Sequence, residues 1–419
     1  MSLGNLNSST PDRGSILVLS AAFLGWMFDG FEMGLFPIVA RPALMDMFAS
    51  NAGSDEFVGQ WMGWITAVFL VGAALGGFLF GALGDRIGRV KAMSWSILLY
   101  SLCTGMGYVA QSPWDLAGYR FLASLGMGGE WSLGVALVME SWPERWRPMM
   151  AGIIGAAANV GFLLVGAIGR IWQVSQDNWR WMWLVGIAPA LLVLLIRLFV
   201  PESQKWQSAR ENNRDHSPIR EIMTPPLLWH TLLAICLSSI ALIGTWGSVQ
   251  WIPLWVDQMT GDHLPGAKGE ATMLSGAGAI VGCLGGALMG GKLGRRWAFF
   301  FLCLGSLLVC GFLFRGGLAY GNWLKTLIFL AGMTTAAFYG WFPLYLPELF
   351  PTRSRATGQG IGYNAGRFLA AMGAIASGQL VALFGGDYAR MGSVITLVYL
   401  VGMLVIWLAP ETRGKPLPN

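Results

Sequence analysis

Asp29 and Glu32 stand three residues apart inside the apolar stretch AAFLGWMFDGFEMGLFPIVA, residues 21–40. That spacing sets both carboxylates on one face of a helix. Arg120 and Glu130 occupy a second apolar stretch, and Arg367 a third. If these stretches cross a bilayer, each charge near its centre costs at least about 2.5–3.5 kcal/mol, which makes every one a functional candidate. Two neighbouring carboxylates cannot easily both stay ionised in low dielectric, so Asp29 and Glu32 form a candidate proton carrier that titrates as a unit. A guanidinium grips a carboxylate through two parallel hydrogen bonds, so Arg120 and Arg367 are candidate anion-binding groups. Protonating Asp29 or Glu32 would then release Arg120 to an anion. Plainer roles stand beside these: a structural Asp29–Arg120 pair, or Arg367 pairing with a helix end or with Glu130. Glu130 reads equally as a protonated buried acid or as a second proton relay.

The elements that must position these groups follow from composition. Of 419 residues, 55% are apolar and 12% charged, with a mean hydropathy of +0.56. Soluble domains carry about a quarter charged residues, which excludes a water-soluble globule. A spanning helix needs about 20 mostly apolar residues. Twelve such segments are predicted, at 15–40, 57–82, 92–110, 114–141, 149–171, 181–200, 227–256, 271–291, 297–314, 322–346, 356–384 and 388–409. Ser112-Pro113 reads as a cap with Pro at the first turn of the fourth, and Pro201 and Pro410 stop the sixth and twelfth. The first segment lacks a basic leader and a small-residue cleavage site, and reads as a retained span.

Seventeen of the 27 Lys and Arg fall in the termini and even-to-odd loops, against seven in the opposite loops. The positive-inside rule then places both termini in the cytoplasm. On that topology Asp29 and Glu32 lie about 15 and 10 Å below the outer end of the first span, and Arg120 about 10 Å below that of the fourth. The matching depths predict that the three face one another. Glu130 is about 15 Å further along the fourth span, beyond direct reach of Arg120. Arg197, four residues before Pro201, reads as a snorkelling side chain.

The chain repeats itself. Glu140-Ser-Trp-Pro143-Glu-Arg145-Trp-Arg147 and Glu348-Leu-Phe-Pro351-Thr-Arg353-Ser-Arg355 are both E-x-x-P-x-R-x-R, 208 residues apart. Pro201-Glu202-Ser203 recurs as Pro410-Glu411-Thr412, and Asn159-x-Gly161 as Asn364-x-Gly366. The segment Gly84-Asp85-Arg86-Ile87-Gly88-Arg89 has a weaker echo in Lys292-Leu293-Gly294-Arg295, which lacks the acid. Six spans per copy keep the halves in the same orientation, as parallel repeats that rock about a central site. The expected division is 1–200, a polar linker at 201–226, and 227–419.

With GALGDRIGR at 81–89, PES at 201–203 and PETRGK at 410–415, the chain resembles the major facilitator superfamily over nearly its whole length. Asp29-Gly-Phe-Glu32, Arg120-Phe, Gly126-Met-Gly-Gly-Glu130 and Tyr363-Asn364 resemble the proton-coupled organic-anion symporters, among them sialate, carboxylate and aromatic-acid symporters. Those relatives commonly carry Asp where Glu32 stands. The resemblance implies an all-α membrane protein of twelve spans in two pseudo-symmetric bundles. It also implies that a charged belt (Asp85, Arg86, Arg89, Glu140, Arg145, Glu202, Glu348 and Arg353) closes the cytoplasmic side. Asp85 can face the positive end of a neighbouring helix, while Arg86 and Arg89 pair with acids such as Glu140 or Glu202.

These observations lead to a secondary active transporter that symports a proton with a small organic anion: a monocarboxylate, a sugar acid or an aromatic acid. Asp29, Glu32 and Glu130 are the proton candidates. Arg120, Arg367 and Asn364 are the substrate candidates, with Gln250, Trp61 and Trp251 as lining for a ligand having a ring face and hydroxyls. Interface anchoring and packing explain most Trp in membrane proteins, and the Gly-rich faces of the second and fourth spans read as close helix contacts. A neutral-sugar symporter is the rival within transport, and a non-transporting receptor on the same fold the rival outside it. Five Cys without a CxxC pair, three scattered His and no Walker motif give no sign of an enzyme, a metal site, a cofactor or ATP-driven work. The net charge of +5 is a matter of topology and gives no reason to invoke nucleic acid. The partners expected are the anion, the proton and the lipid of a bacterial inner membrane, with the monomer as functional unit.

Overall fold

A computed structural model describes residues 13–47, 55–171, 177–189, 196, 199–211, 218–260, 264 and 267–418. Arg197, Arg214, His216, His263 and residues 190–195 and 197–198 of the sixth predicted span lie outside the described residues. The spans are α1 (Arg13–Met47), α2 (Asp55–Ile87), α3 (Arg89–Gly105), α4 (Pro113–Ser141), α5 (Arg147–Ile171) and α6, described over Arg180–Val185. The second set is α7 (Leu227–Gly247), α8 (Ala267–Leu293), α9 (Arg295–Arg315), α10 (Asn322–Tyr345), α11 (Arg355–Leu383) and α12 (Tyr388–Leu408). Among the described residues nine helices are long and apolar enough to cross a bilayer. The α3 helix has 17 residues and is continued by a 3-10 turn at Met106–Val109. The α11 helix is long enough but carries Gln359, Asn364 and Arg367, and packs against α2, α4 and α7. Its polar side chains face protein, so it needs no continuous apolar surface.

Local chemistry sets the ends. Ser112 Oγ accepts from the Asp115 amide at 3.2 Å while Asp115 Oδ2 accepts from the Ser112 amide at 2.9 Å, a reciprocal cap that starts α4. Gly88 and Gly294, at φ of 110° and 92°, turn α2 into α3 and α8 into α9 without a connecting loop. A side chain there would sit in a backbone region that only glycine adopts cheaply. At the opposite end Asp46, beyond the apolar part of α1, accepts from Arg180 at 2.8 Å and Trp179 at 3.0 Å. Those donors hold its carboxyl below the usual range.

The seventh span departs from the single helix predicted at 227–256. The α7 helix ends at Gly247, a 3-10 turn covers Val249–Trp251, and a new helix runs over Ile252–Thr260. Pro253 has no N–H to give the carbonyl four residues earlier. The carbonyl of Gly247, left open where α7 ends, accepts from Ser377 Oγ of α11 at 2.8 Å. Broken helices at membrane depth are tolerated where the loosened backbone is buried in protein or lines a cavity.

Close approach of α2 and α4 rests on missing side chains: a Cβ at Gly76 would fall on the Leu125 carbonyl. We expect Gly76→Val to cost at least about 1–3 kcal/mol through overpacking. Gly118→Ala, where a Cβ meets nothing within 4 Å, should gain up to about 1 kcal/mol of helix propensity. Thermal unfolding of both variants in detergent checks the pair.

Candidate functional site

The expected cluster of Asp29, Glu32 and Arg120 divides in two. Glu32 is 1% exposed and Arg120 3% exposed, and the two form a buried ion pair. Thr104 Oγ1 of α3 donates to the same carboxylate at 3.3 Å. The guanidinium lies between the rings of Phe36 and Phe69, at 4.9 and 4.3 Å from their centroids. Asp29 turns away towards Glu130, which packs against Gly25 one turn below. Arg367 and, more weakly, Glu32 lie within electrostatic reach of Asp29. One Asp29 oxygen and both Glu130 oxygens are buried without a hydrogen-bond partner. Two carboxyl groups so placed share an environment that neither can leave ionised cheaply.

A cavity of about 220 Å³ opens where the halves meet. Trp26, Phe69, Asn159 and Phe162 line it from the first half; Thr245, Trp246, Gln250, Thr272, Tyr339, Tyr363 and Arg367 line it from the second. The break after α7 delivers three of its walls, Trp246, Val249 and Gln250. Behind the lining a stack crosses the halves: Trp131 of α4 stacks on Tyr363 of α11 at 4.1 Å, with Trp26 6.1 Å from Trp131. The guanidinium of Arg367 lies 5.6 Å from the Tyr363 ring, and its Nη1 is buried without an acceptor. No described carboxylate forms an ion pair with it.

Four sequence-selected residues stand elsewhere. Arg120 lies behind Phe69, outside the cavity lining. Asn364 is fully buried and donates to the carbonyls of Gly128 at 3.3 Å and Gly360 at 2.9 Å, pinning α11 to α4. Trp61 packs edge-on against Trp114 at 4.8 Å, near the start of α4. Trp251 donates its Nε1 to the carbonyl of Trp246 at 3.2 Å, closing the 3-10 turn. Tyr339, Asn159 and Trp246 replace them as lining. Asn159 had a signal in the Asn-x-Gly repeat, and Trp246 in its place before Pro253, whereas Tyr339 had none.

The charged end is built twice. Arg89 Nη1 donates to the Gly84 carbonyl at 2.9 Å and its Nη2 to Glu140 at 3.2 Å; Arg295 likewise donates to Gly290 at 2.8 Å and Glu348 at 2.6 Å. Glu202 accepts from the amides of Arg89 and Val90 at the start of α3, and Glu411 from those of Arg295 and Arg296 at the start of α9, all at 3.0–3.1 Å. Carboxylates at helix amino ends are favoured by unsatisfied N–H groups and the helix dipole. Burial opposes this at both and leaves Glu202 raised from the usual range; at Glu411 the amide donors of Arg295, Arg413 and Arg296 prevail and its carboxyl is lowered.

The copies then diverge. Asp85 pairs with Arg89 at 2.7 Å and accepts from the amides of Ala356 and Thr357 at 3.3 and 2.7 Å, at the start of α11. Arg355 of the second half reaches Glu140 of the first at 2.9 Å, and Arg89 donates to the Thr352 carbonyl at 2.6 Å. The counterpart of Asp85 is Gly291, against the ring of Pro148, and Arg147 pairs with its own neighbour Glu144 at 3.2 Å. In each E-x-x-P-x-R-x-R the buried arginine is the last, Arg147 or Arg355, because it begins the next helix. Arg145 is exposed over Trp146, Arg353 pairs with Glu221 at 2.5 Å, and Arg86 is exposed.

Two pseudo-symmetric six-helix bundles around a buried, charged central cavity define an integral membrane transporter. The family model described as Major Facilitator Superfamily matches residues 18–374, and the chain belongs to that family. It is similar to the sialic acid transporter NanX of Escherichia coli K12, with 27% identity over 406 residues covering 95% of this chain and 94% of that one. The cis,cis-muconate transport protein of Acinetobacter baylyi is 28% identical over 380 residues, covering 86% and 88%. Among solved structures the proton:xylose symporter XylE superimposes with a TM-score of 0.80 at 19% identity, over 96% of this chain and 98% of that one, a likeness of fold. The protein binds its small-molecule substrate within the membrane and is not an enzyme.

Removing one partner of a buried pair leaves an uncompensated charge. Arg120→Met alone should therefore lower stability by about 3–5 kcal/mol. Arg120→Met combined with Glu32→Gln should recover most of that loss, as a double-mutant cycle by denaturant or thermal unfolding would read.

Proposed function

We propose that this protein is a proton-coupled symporter of a small organic anion, working by alternating access in a bacterial cytoplasmic membrane. The observation that carries the reading is Arg367, a cavity-lining guanidinium with a buried N–H lacking an acceptor and no acidic partner among the described residues. A substrate carboxylate supplies what it lacks, and the planar fork makes the recognition directional. The Trp26, Trp246 and Tyr363 rings suit a flat or cyclic body, while Asn159, Thr245 and Gln250 offer hydrogen bonds to its polar groups. The relatives named for sialic acid and cis,cis-muconate, both acids, agree with this chemistry. A neutral sugar would leave the guanidinium without a counter-charge.

Asp29 and Glu130 hold the proton on this reading, while Glu32 holds Arg120 and fixes α1 on α3 and α4. Arg367 is the link, since it lies within electrostatic reach of Asp29. When the carboxyl pair takes up a proton, the guanidinium loses an electrostatic competitor and binds the anion more tightly. When the anion leaves, the pair can ionise again. That reciprocity is what coupling requires. The belt end, carrying the seam between Asp85, Glu140 and Arg355, is the cytoplasmic gate, shut here. Units 1–200 and 227–419 rock about the cavity, joined by 201–226, and one chain holds the whole site.

Arg367→Lys should weaken carboxylate binding by about 10- to 100-fold, since a charged hydrogen bond is worth about 1.5–3 kcal/mol. Binding of a panel of aromatic and sugar acids to purified protein reads this; wild-type affinity in the variant would remove Arg367 from the site. Separately, Asp29→Asn and Glu130→Gln should each abolish accumulation driven by a pH gradient in proteoliposomes while preserving counterflow exchange. Unchanged accumulation in either variant would dismiss that residue as a proton carrier.

A further inference from the structure

The divergence between the two belt copies gathers unpaired cations in a cavity on the side of the second. On the side of Asp85, an acid, two amides and Arg355 close the seam. On the other side the acid is Gly291, and the residue matching the first amide donor is Pro148, which has no N–H to give. A cavity of about 580 Å³ lies there, holding Arg145, Arg147, Lys292, Arg295, Arg413 and Lys415 against Glu144 and Glu348 alone. Arg147 and Arg295 are paired with those two acids. The other four cations have no carboxylate partner among the described residues. Buried N–H groups on Arg147 and Trp146, Nε and Nε1, have no acceptor. Beside the cations the rim turns apolar: Met149 is 45% exposed and Leu288 46% exposed, and both line the same cavity.

We propose that this cavity binds the phosphate-bearing headgroup of an anionic phospholipid from the adjoining leaflet. The headgroup supplies the negative charge that the second belt copy lacks. Phosphate chemistry matches the site because several spherical acceptor oxygens satisfy donors converging from α5, the start of α9 and the residues after α12. Lipid is favoured over a free phosphate because Met149 and Leu288 offer an apolar ledge directly beside the cations, where an acyl chain would run. The occupant lies at the joint between α5 of one half and α8 of the other. Lipid composition would therefore bias how readily this side of the belt parts.

Native mass spectrometry of the full chain in detergent, titrated with phosphatidylglycerol or phosphatidylcholine, tests the assignment. Wild type should bind phosphatidylglycerol more tightly than phosphatidylcholine. Lys292→Gln with Arg413→Gln, both exposed and outside the gate contacts, should weaken phosphatidylglycerol by about thirtyfold, at roughly fivefold for each cation removed. Lys91→Gln with Arg220→Gln removes the same net charge away from the cavity and should leave the affinity unchanged. Equal binding of the two lipids, or equal losses in the two double variants, would overturn the proposal. Displacement of phosphatidylglycerol by inorganic phosphate at equal concentration would overturn the lipid assignment and leave a soluble anion as the occupant.

Discussion

An ionised side chain withdrawn from water must find its counter-charge nearby or give the charge up. That constraint orders every polar feature of this protein. Arg120 has Glu32, Arg89 has Asp85 and Glu140, and Arg295 has Glu348, each within a few ångströms. Once these pairs are assigned, three ionisable groups with buried polar atoms remain at the centre without a full partner: Asp29, Glu130 and Arg367. Arg367 lines the cavity, and Asp29 lies within electrostatic reach of it. The proposed chemistry lies with the groups the scaffold has left incomplete.

The same constraint explains why the belt does more than anchor the chain. Positive residues alone would satisfy a topological bias. Here they are interleaved with acids that bind helix amino ends, Glu202 on α3, Glu411 on α9 and Asp85 on α11. The first two contacts lie within one half and fasten its helices to each other. The third joins α2 of one half to α11 of the other, so it must break for the halves to separate at that end. The repeat thus supplies two internal clamps and one crossing clamp, and Gly291 standing where the other copy has Asp85 makes the crossing one-sided.

Much of this was legible in the residues and some was not, for geometrical reasons. Hydropathy located the spans because a bilayer demands about 20 apolar residues whatever the partner helix. The E-x-x-P-x-R-x-R copies revealed the repeat because a proline and a helix-starting arginine are fixed local devices. The three-way cluster of Asp29, Glu32 and Arg120 was misjudged because residues three apart share a face yet differ by about 60° in direction. That angle lets Glu32 turn to Arg120 and Asp29 to Glu130. Because α1 and α4 run antiparallel, the pairing order holds along the axis too: Glu32 and Arg120 lie farther from the charged belt, Asp29 and Glu130 nearer to it. Asn364 was placed in the site because Tyr363-Asn364 resembles the organic-anion symporters. Its fate depended on Gly128 lying opposite, which no single-helix pattern records.

The stack beside the cavity shows how these levels join. Trp131 follows Glu130 in α4, and Tyr363 precedes Arg367 by one turn in α11. Their stacked rings therefore bring the proposed proton pair of one half next to the proposed anion-binding group of the other. The proposed rocking of the halves cannot leave that stack untouched, because its two members belong to different halves. A change of charge at Asp29 or Glu130 acts at the base of Trp131, and an anion on Arg367 acts one turn from Tyr363. On the proposed function both ligands thus bear on the same contact between the halves. Coupling needs no longer pathway than this, since two sites that bias one shared interface are linked by thermodynamics alone.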